Sequence, residues 1–194
     1  IFKTLVNAVK KPVTLKIRSG VTDASRFLFK DIAEIAEDEG IEMITFHPRT
    51  VHQGYSGNAD WELIKELKEI SSIPIVGNGD ITAPEDAKKM IDETNCDYVM
   101  IGRGAMGNPF LFEQINDYLK TNSYQEYSFK DRLDSFFEYL HLTSKYKIKF
   151  ANLKGQAMRF TKGMKGSSKI RAKITTSTNI KELEKIMKNA YLEF

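Results

Sequence analysis

The residues that could do chemistry gather first in ITFHPRTVHQGYSG, residues 44–57, which holds two of the three histidines of the chain. His47, Arg49 and His52 could bind a metal ion, clamp an anion or form a polar loop. A zinc site typically uses histidines on one helix face or histidines paired with cysteines. His47 and His52 are five residues apart across a proline, and no cysteine lies near them. We therefore predict no metal site, and we interpret His52 as an exposed loop residue.

Residues suited to anion binding accompany three other apolar runs. Lys16 lies within the first run, GNGD at residues 77–80 ends another, and GRG at residues 102–104 ends the last. Glycine lets a backbone approach an anion closely, and the N–H groups that open a following helix point at it. The two glycine loops therefore predict a phosphate-binding site, with Arg103 supplying charge. The sequence has no Gly-x-Ser-x-Gly elbow, which disfavours a serine hydrolase.

The elements that must position these residues alternate between strands and helices. Short apolar runs predict strands, and apolar residues at helical spacing predict helices between them. The first long helix has a predicted apolar stripe of Phe27, Leu28, Ile32, Ile35 and Ala36. This alternation is typical of parallel βαβ units. The predicted strands are residues 12–17, 42–46, 73–77 and 98–101, and the predicted helices are residues 24–39, 61–70, 84 onward and 108–119.

The predicted fold class is α/β, because four βα units are half of an eight-stranded barrel. We predict half of a (β/α)8 TIM barrel, made of its four C-terminal βα units, followed by an all-α helical domain. The polar segment Thr121–Ser128 marks the boundary, which gives predicted domains at 1–122 and 123–194. After it, the sequence predicts helices only, at residues 129–148, 151–161 and 180–194. Barrel loops after the last two strands commonly hold a phosphate, in agreement with the positions of the glycine loops.

The charge of the chain is segregated along the sequence. Residues 1–128 carry 14 Lys and Arg against 20 Asp and Glu, whereas residues 129–194 carry 15 against 6. No acidic residue occurs between Glu138 and Glu182, where eleven basic residues lie. A salt-bridged surface would alternate acids with bases, so this segregation favours a polyanion, namely nucleic acid, as the partner of the second half.

The composition is that of a soluble globular protein, with 41% hydrophobic and 28% charged residues. No apolar run approaches the ~20 residues that span a bilayer, which predicts no membrane partner. The single cysteine, Cys96, cannot form an internal disulfide. Together with the lack of a recognisable secretory signal, this predicts a reducing, cytoplasmic location.

Four motifs and a basic segment together resemble the second half of a tRNA-dihydrouridine synthase. The order and spacing of the motifs match that family over about residues 1–120, and few other flavin barrels combine them with a basic helical domain. One departure is Pro48, where the commoner family form has glycine, and it stiffens the turn that carries Arg49. The motifs are VTLKIR at 13–18, ITFHPRT at 44–50, PIVGNGDI at 74–81 and VMIGRGAMGNPFLF at 99–112, and the basic segment is TKGMKGSSKIR at 161–171.

The resemblance implies an FMN enzyme that uses NADPH as electron donor to reduce uridine in tRNA to 5,6-dihydrouridine. In such an enzyme a hydride reaches C6 of the uracil and a cysteine acid protonates C5. Lys16 would lie at the N1/O2 edge of the flavin, where a fixed cation stabilises the anionic reduced form. His47 would contact the isoalloxazine or phosphate side, and Arg49 the mouth of the site and the RNA. The ribityl chain and phosphate would be held by Asn78, Gly79, Asp80, Gly102 and Arg103.

The same resemblance, with the charge pattern, predicts where tRNA binds. Glycines at 163 and 166 let a turn-like stretch lie close to an RNA backbone. The predicted RNA-binding residues are Arg49, Lys162, Lys165, Lys169 and Arg171.

The catalytic cysteine of the family has no counterpart among these motifs. Cys96 precedes a predicted strand, at the face of the barrel opposite to the active site, so we interpret it as a structural thiol. We expect the acid cysteine upstream of Ile1, and therefore expect this stretch alone to be inactive as an enzyme. Four strands would leave open edges, through which we expect the chain to self-associate.

Two alternatives to a dihydrouridine synthase stay open at this point. One is another FMN TIM-barrel oxidoreductase acting on a small molecule, such as a dihydroorotate dehydrogenase relative. The basic second half disfavours it. The other is an RNA-binding module without activity of its own.

Overall fold

A parallel sheet of four strands lies at the centre of the first part of the chain. The structure, a computed structural model, describes residues 1–192. The strands pair in the order β1-β2-β3-β4, and every pairing is parallel. This sheet confirms the predicted parallel βα units. The strands are β1 Thr14–Arg18, β2 Met43–His47, β3 Ile75–Asn78 and β4 Tyr98–Met100.

Helices follow three of the four strands within this part of the chain. They are α2 Phe29–Asp38, α3 Glu62–Ile70 and α4 Pro84–Thr94, while α1 Phe2–Ala8 precedes β1 and was not predicted. One-turn 3₁₀ helices, at Asp23–Ser25 and Arg103–Ala105, lie in the loops after β1 and β4. The sheet with its helices is an α/β arrangement consistent with part of a TIM barrel.

The helices bury one face of the sheet. Phe29 of α2 and Phe46 of β2 are fully buried, and their ring centroids lie 4.6 Å apart. The predicted stripe of α2 was wrong for Phe27, Leu28 and Ile35, whose side chains are half exposed. The reason is that the 3₁₀ turn delays the start of α2, so that Phe29 and Ala33 are buried together with Ala36, which the stripe included.

Both outer strands of the described sheet have one free edge, because β1 and β4 each pair with a single neighbour. Such edges expose backbone N–H and C=O groups that can pair with another strand. Self-association through them stays a prediction.

Five helices lie between Ala105 and Leu192, and the chain divides into two compact units between Gly104 and Ala105. The second unit has its own buried core, centred on Phe136, Leu153 and Leu183. Residues 193–194, the end of the predicted last helix, lie outside the described residues. No helix within residues 1–192 is both long enough and apolar enough to cross a bilayer. The five helices are α5 Leu111–Thr121, α6 Phe129–Tyr146, α7 Phe150–Phe160, α8 Ser167–Thr176 and α9 Ile180–Leu192.

The polar segment before α6 packs closely on α5. Phe110 and Tyr127 stack with ring centroids 3.8 Å apart, and Gln114 Nε2 donates to Gln125 O over 2.8 Å. The division into units therefore falls before α5, and the domain boundary at residues 122–123 stays a prediction.

Candidate functional site

The carboxyl ends of the strands carry a row of basic and polar side chains on the face of the sheet turned away from the helices. Arg18 of β1 is paired in register with His47 of β2, so the two side chains lie on the same face. Lys16, two residues before Arg18, shares that face because side chains alternate along a strand.

Lys16 and Asn78 meet across the sheet. The Lys16 Nζ donates to Asn78 Oδ1 over 3.2 Å, and Asn78 Nδ2 donates to Met100 O over 2.7 Å. Asn78 therefore ties β1 and β4 to β3 and holds the lysine at the sheet edge. Burial, and then the charge of Arg18, lower the pKa of Lys16.

A tight turn after β2 directs Arg49 into the protein. The Arg49 amide donates to His47 O over 2.8 Å, a three-residue turn whose centre is Pro48. The fixed φ of proline suits the centre of such a turn. The Arg49 side chain is only 2% exposed. The guanidinium is therefore buried in this structure, and the predicted RNA contact of Arg49 stays a prediction.

The guanidinium of Arg49 is occupied by internal partners. Its NH2 group donates to both carboxylate oxygens of Asp80, over 2.8 and 2.7 Å, and to Gly57 O over 2.6 Å. Its NH1 group lies 3.3 Å from His47 Nε2, while its Nε is buried and has no hydrogen-bond partner within residues 1–192. Arg49 thus joins the loops after β2 and β3.

Asp80 closes the loop after β3 in an uncommon backbone conformation. Its φ is +59°, in the left-handed region that asparagine and aspartate tolerate better than most residues. Burial alone would raise the pKa of Asp80. The hydrogen bonds from the Ala59 amide and Arg49, with the charges of Arg49 and Arg103, outweigh this effect and lower it. Asp80 is therefore a carboxylate at neutral pH.

His47 is a neutral imidazole at neutral pH. Burial first, and then the charges of Arg18, Lys16 and Arg49, lower its pKa to about 4, although Asp80 opposes them. Arginine has no acceptor, so Arg49 must donate to His47 Nε2, which places the ring proton on Nδ1. The environment thus fixes both the charge and the tautomer of His47.

Arg103, like Lys16, is an exposed cation of the site. Its NH2 group is 3.6 Å from Asp80 Oδ1, and its guanidinium carbon is 4.0 Å from the ring centroid of Tyr55. Arg18 lies 5.9 Å from the same centroid, and its NH1 group donates to the carbonyls of Thr50 and Gly54. Sequence reasoning missed Arg18 and Tyr55, although Arg18 stands two residues after Lys16 and Tyr55 lies within the histidine-rich stretch.

The glycines of the two loops serve different purposes. A Cβ on Gly104 would lie 2.2 Å from Ile81 O, so this glycine lets the loops after β3 and β4 touch. Gly79 has a φ of +133°, and a Cβ there would lie 2.7 Å from Ala59 Cβ. A Cβ on Gly102, by contrast, would meet nothing within 4 Å. The backbone at Gly102 is therefore open to a ligand, beside the exposed Arg103.

Other candidate groups lie outside this arrangement. His52 is exposed, and Cys96 is only 3% exposed and packs behind β3, near Gly77. Among the described residues, no cluster of histidine, cysteine and carboxylate side chains could hold a metal ion.

The second unit presents the predicted RNA-binding residues in and after the turn that follows α7. Lys162, Lys165 and Lys169 are exposed, and Arg171 is half buried. Lys154 makes its hydrogen bonds within the unit, because its Nζ donates to Thr175 O and Ser177 O at the end of α8. Its charge satisfies helix carbonyls, a role that sequence alone does not separate from that of an exposed lysine.

Sequence comparison relates the chain to known proteins. The sequence model of the dihydrouridine synthase family matches residues 1–194. A probable tRNA-dihydrouridine synthase of Aquifex aeolicus is 35% identical over 196 residues, which cover 98% of this chain and 60% of that protein. One from Rickettsia bellii is 51% identical over 121 residues, covering 62% of this chain and 37% of that protein.

A third relative extends the comparison. The tRNA-dihydrouridine synthase B of Shewanella oneidensis is 47% identical over 123 residues, covering 63% of this chain and 38% of that protein. The chain thus spans between 37% and 60% of the length of these three relatives. The family match extends over the whole sequence, and so the chain belongs to the dihydrouridine synthase family.

Proposed function

We propose that this chain is part of an FMN-dependent tRNA-dihydrouridine synthase, in which the first unit holds part of the flavin and the second unit binds tRNA. Family membership supports the activity. The observation that carries the cofactor assignment is the open backbone at Gly102 beside the exposed guanidinium of Arg103. Both lie at the carboxyl edge of a parallel sheet, where such folds bind phosphate.

The residues present fit a flavin nucleotide. The Gly102 backbone leaves room that a side chain would fill, and Arg103 supplies a cation beside it. Asn78 holds Lys16 at the same sheet edge, as a cation near the N1/O2 side of a flavin requires. When bound, FMN would supply hydride transfer to the uracil, with NADPH as the source of electrons.

The other predicted cofactor residues shape the site. Arg49 and Asp80 lock the loops after β2 and β3 together, so that the turn at Gly79 is formed before any ligand arrives. Neutral His47 offers its Nδ1–H as a hydrogen-bond donor without bringing a charge. Cys96 is buried and does not serve as the proton donor. We therefore propose that this chain alone does not reduce uridine.

The cofactor proposal is tested by comparing FMN with riboflavin, which lacks the phosphate. The test uses this chain joined to the rest of a dihydrouridine synthase barrel, and measures flavin binding by fluorescence quenching. Arg103→Ala should weaken FMN binding and leave riboflavin binding unchanged, whereas Arg26→Ala, the matched arginine removal in the loop after β1, should affect neither. Equal binding of FMN and riboflavin by the unaltered protein would contradict the phosphate assignment.

The tRNA proposal is tested by charge reversal on exposed residues of the second unit. Phosphate contacts release counterions, so the log–log slope of affinity against salt should be roughly −0.7 to −0.9 per contact. Lys165→Glu with Lys169→Glu should weaken binding of a tRNA transcript and flatten this slope. Lys88→Glu with Lys89→Glu makes the same charge change on α4 and should have the smaller effect. Equal effects of the two pairs would mean that net charge alone attracts RNA.

A further inference from the structure

The turn after α7, residues 161–166, alternates anchored and exposed side chains. Thr161 and Met164 are buried, at 0% and 3% exposure, and Lys162 and Lys165 point outward between them. Two left-handed glycines shape the turn, with φ of +85° at position 163 and +72° at position 166. The turn follows the C-terminal end of a helix, where carbonyl groups lack intrahelical donors. Amides of the turn donate to some of these carbonyls, Lys162 N–H to Arg159 O over 3.1 Å and Met164 N–H to Thr161 O over 3.3 Å, and side-chain donors can add to these bonds.

Arg132 of α6 supplies additional donors from outside the turn. Its NH1 group lies 3.4 Å from Lys162 O, its NH2 group lies 3.4 Å from Arg159 O, and its Nε donates to Gly107 O over 2.8 Å. The planar fork of arginine directs donors from three separate nitrogens at three carbonyls in a fixed geometry, whereas a lysine donates from one nitrogen only. Burial lowers the pKa of Arg132, in keeping with a group used inside the unit.

Two further contacts hold the same turn. A Cβ on Gly107 would lie 2.5 Å from the Arg159 carbonyl carbon, so the backbone before α5 packs directly on the end of α7. Phe129, one turn before Arg132 on α6, lies under Gly163, where a Cβ would be 3.6 Å from the phenyl ring. The guanidinium of Arg132 lies 5.3 Å from the centroid of that ring. The first turn of α6 thus packs against the turn of residues 161–166.

We infer that Arg132 is a positioning residue for RNA binding, which fixes the turn so that Lys162 and Lys165 meet two phosphates without being ordered on binding. The inference rests on the proposed tRNA-binding function. Ordering a flexible segment costs affinity, and a segment fixed beforehand avoids that cost. Arg132 itself faces the carbonyls of the turn and is not a phosphate ligand.

A double-mutant cycle on the 194-residue chain tests the inference, with an unmodified tRNA transcript as the probe in filter-binding titrations at two salt concentrations. Arg132→Met should weaken binding about three- to tenfold and reduce the salt slope by about one, the loss of one phosphate contact. Lys130→Met removes the same charge from the same turn of α6 and should weaken binding less than twofold. In a Lys162→Ala/Lys165→Ala background, Arg132→Met should have no further effect, because no lysine remains to be positioned.

Each result decides between a positioning role and a merely structural one. If Arg132→Met weakens binding equally with and without the two lysines, or no more than Lys130→Met does, the inference is wrong. If the double alanine variant binds like the unaltered chain, the RNA surface itself is misassigned, and both proposals fail together. Should Arg132→Met unfold, as circular dichroism would reveal, Arg132→Gln replaces it in the same cycle. Glutamine keeps one donor for Gly107 O and loses the fork.

Discussion

Removal of the Arg49 side chain should destabilise the first unit far more than removal of an exposed arginine. Arg49→Met keeps much of the apolar volume but removes the guanidinium from the Gly57 carbonyl and from the carboxylate of Asp80, which keeps only the Ala59 amide and the more distant Arg103. Breaking a buried ion pair from one side costs about 3–5 kcal/mol. Asp80 is 29% exposed, so water can partly solvate it, and we expect the lower end, about 3 kcal/mol.

The chain contains its own control, the ion pair between Arg26 and Asp60. These side chains are 37% and 43% exposed, and a pair of this kind contributes about 0–1 kcal/mol. Arg26→Met should therefore lower the free energy of unfolding by no more than about 1 kcal/mol. The difference between the two variants measures the effect of burial, because the residue change is the same.

Urea unfolding followed by tryptophan fluorescence is a suitable assay. Trp61 is the single tryptophan, and its Nε1 donates to Gly79 O over 3.1 Å, so it reports on the loop that Arg49 holds. For an m-value of about 2 kcal/mol/M, Arg49→Met should lower the urea midpoint by about 1.5 M. In an Asp80→Asn background, Arg49→Met should lower the free energy of unfolding by less, since residue 80 then carries no charge for Arg49 to neutralise. Equal midpoints for Arg49→Met and Arg26→Met would refute the reasoning.

Four further outcomes are expected. The pKa of His47 is 6.5 in the unfolded state and about 4 in the folded state, so the unfolded state binds more protons between these two values. The free energy of unfolding should therefore rise from pH 4 to 6.5 and level off above. His47→Gln should flatten this rise in a series of urea titrations. Gly104→Ala should lower the free energy of unfolding by about 1–3 kcal/mol through overlap with a backbone carbonyl, whereas Gly102→Ala, in the same loop, should leave the urea midpoint unchanged. Cys96 should react with a thiol reagent only as fast as the first unit opens, and rapid labelling of the folded chain would contradict its burial. Lys154→Met should lower the thermal midpoint of the second unit with little change in tRNA affinity, since its ammonium is committed to helix carbonyls.

Sequence patterns located the strands well because strand burial is a local property. The predicted strand at residues 42–46 is observed at Met43–His47, and the one at 73–77 is observed at Ile75–Asn78. Glycine and basic residues after these strands also indicated which sheet edge carries the candidate site. The α2 stripe failed because a 3₁₀ turn shifts the start of the helix, and apolar spacing does not report such a shift.

The burial and hydrogen-bond partners of individual basic residues could not be predicted from the sequence. Arg49 and Asp80 are 31 residues apart in the chain, and only the packed loops bring them together. Arg132 and Lys154 resemble exposed cations in the sequence, yet both donate to backbone carbonyls. Charge counting therefore predicts a class of partner from local composition, but it does not separate the cations that are free to contact a partner from those that donate to backbone carbonyls.

The tautomer of His47 determines which ligand atoms can lie next to its ring. Nε2 is occupied by Arg49, and Nδ1–H has no hydrogen-bond partner among the described residues. A ligand oxygen or an unprotonated ring nitrogen would satisfy this donor, whereas a ligand N–H would face another N–H. Leaving such a group unpaired costs about 1–3 kcal/mol, roughly a five- to 150-fold preference. The imidazole thus favours ligands that place a hydrogen-bond acceptor beside Nδ1, and the hydrogen bond from Arg49 to Nε2 fixes the tautomer that makes Nδ1 a donor.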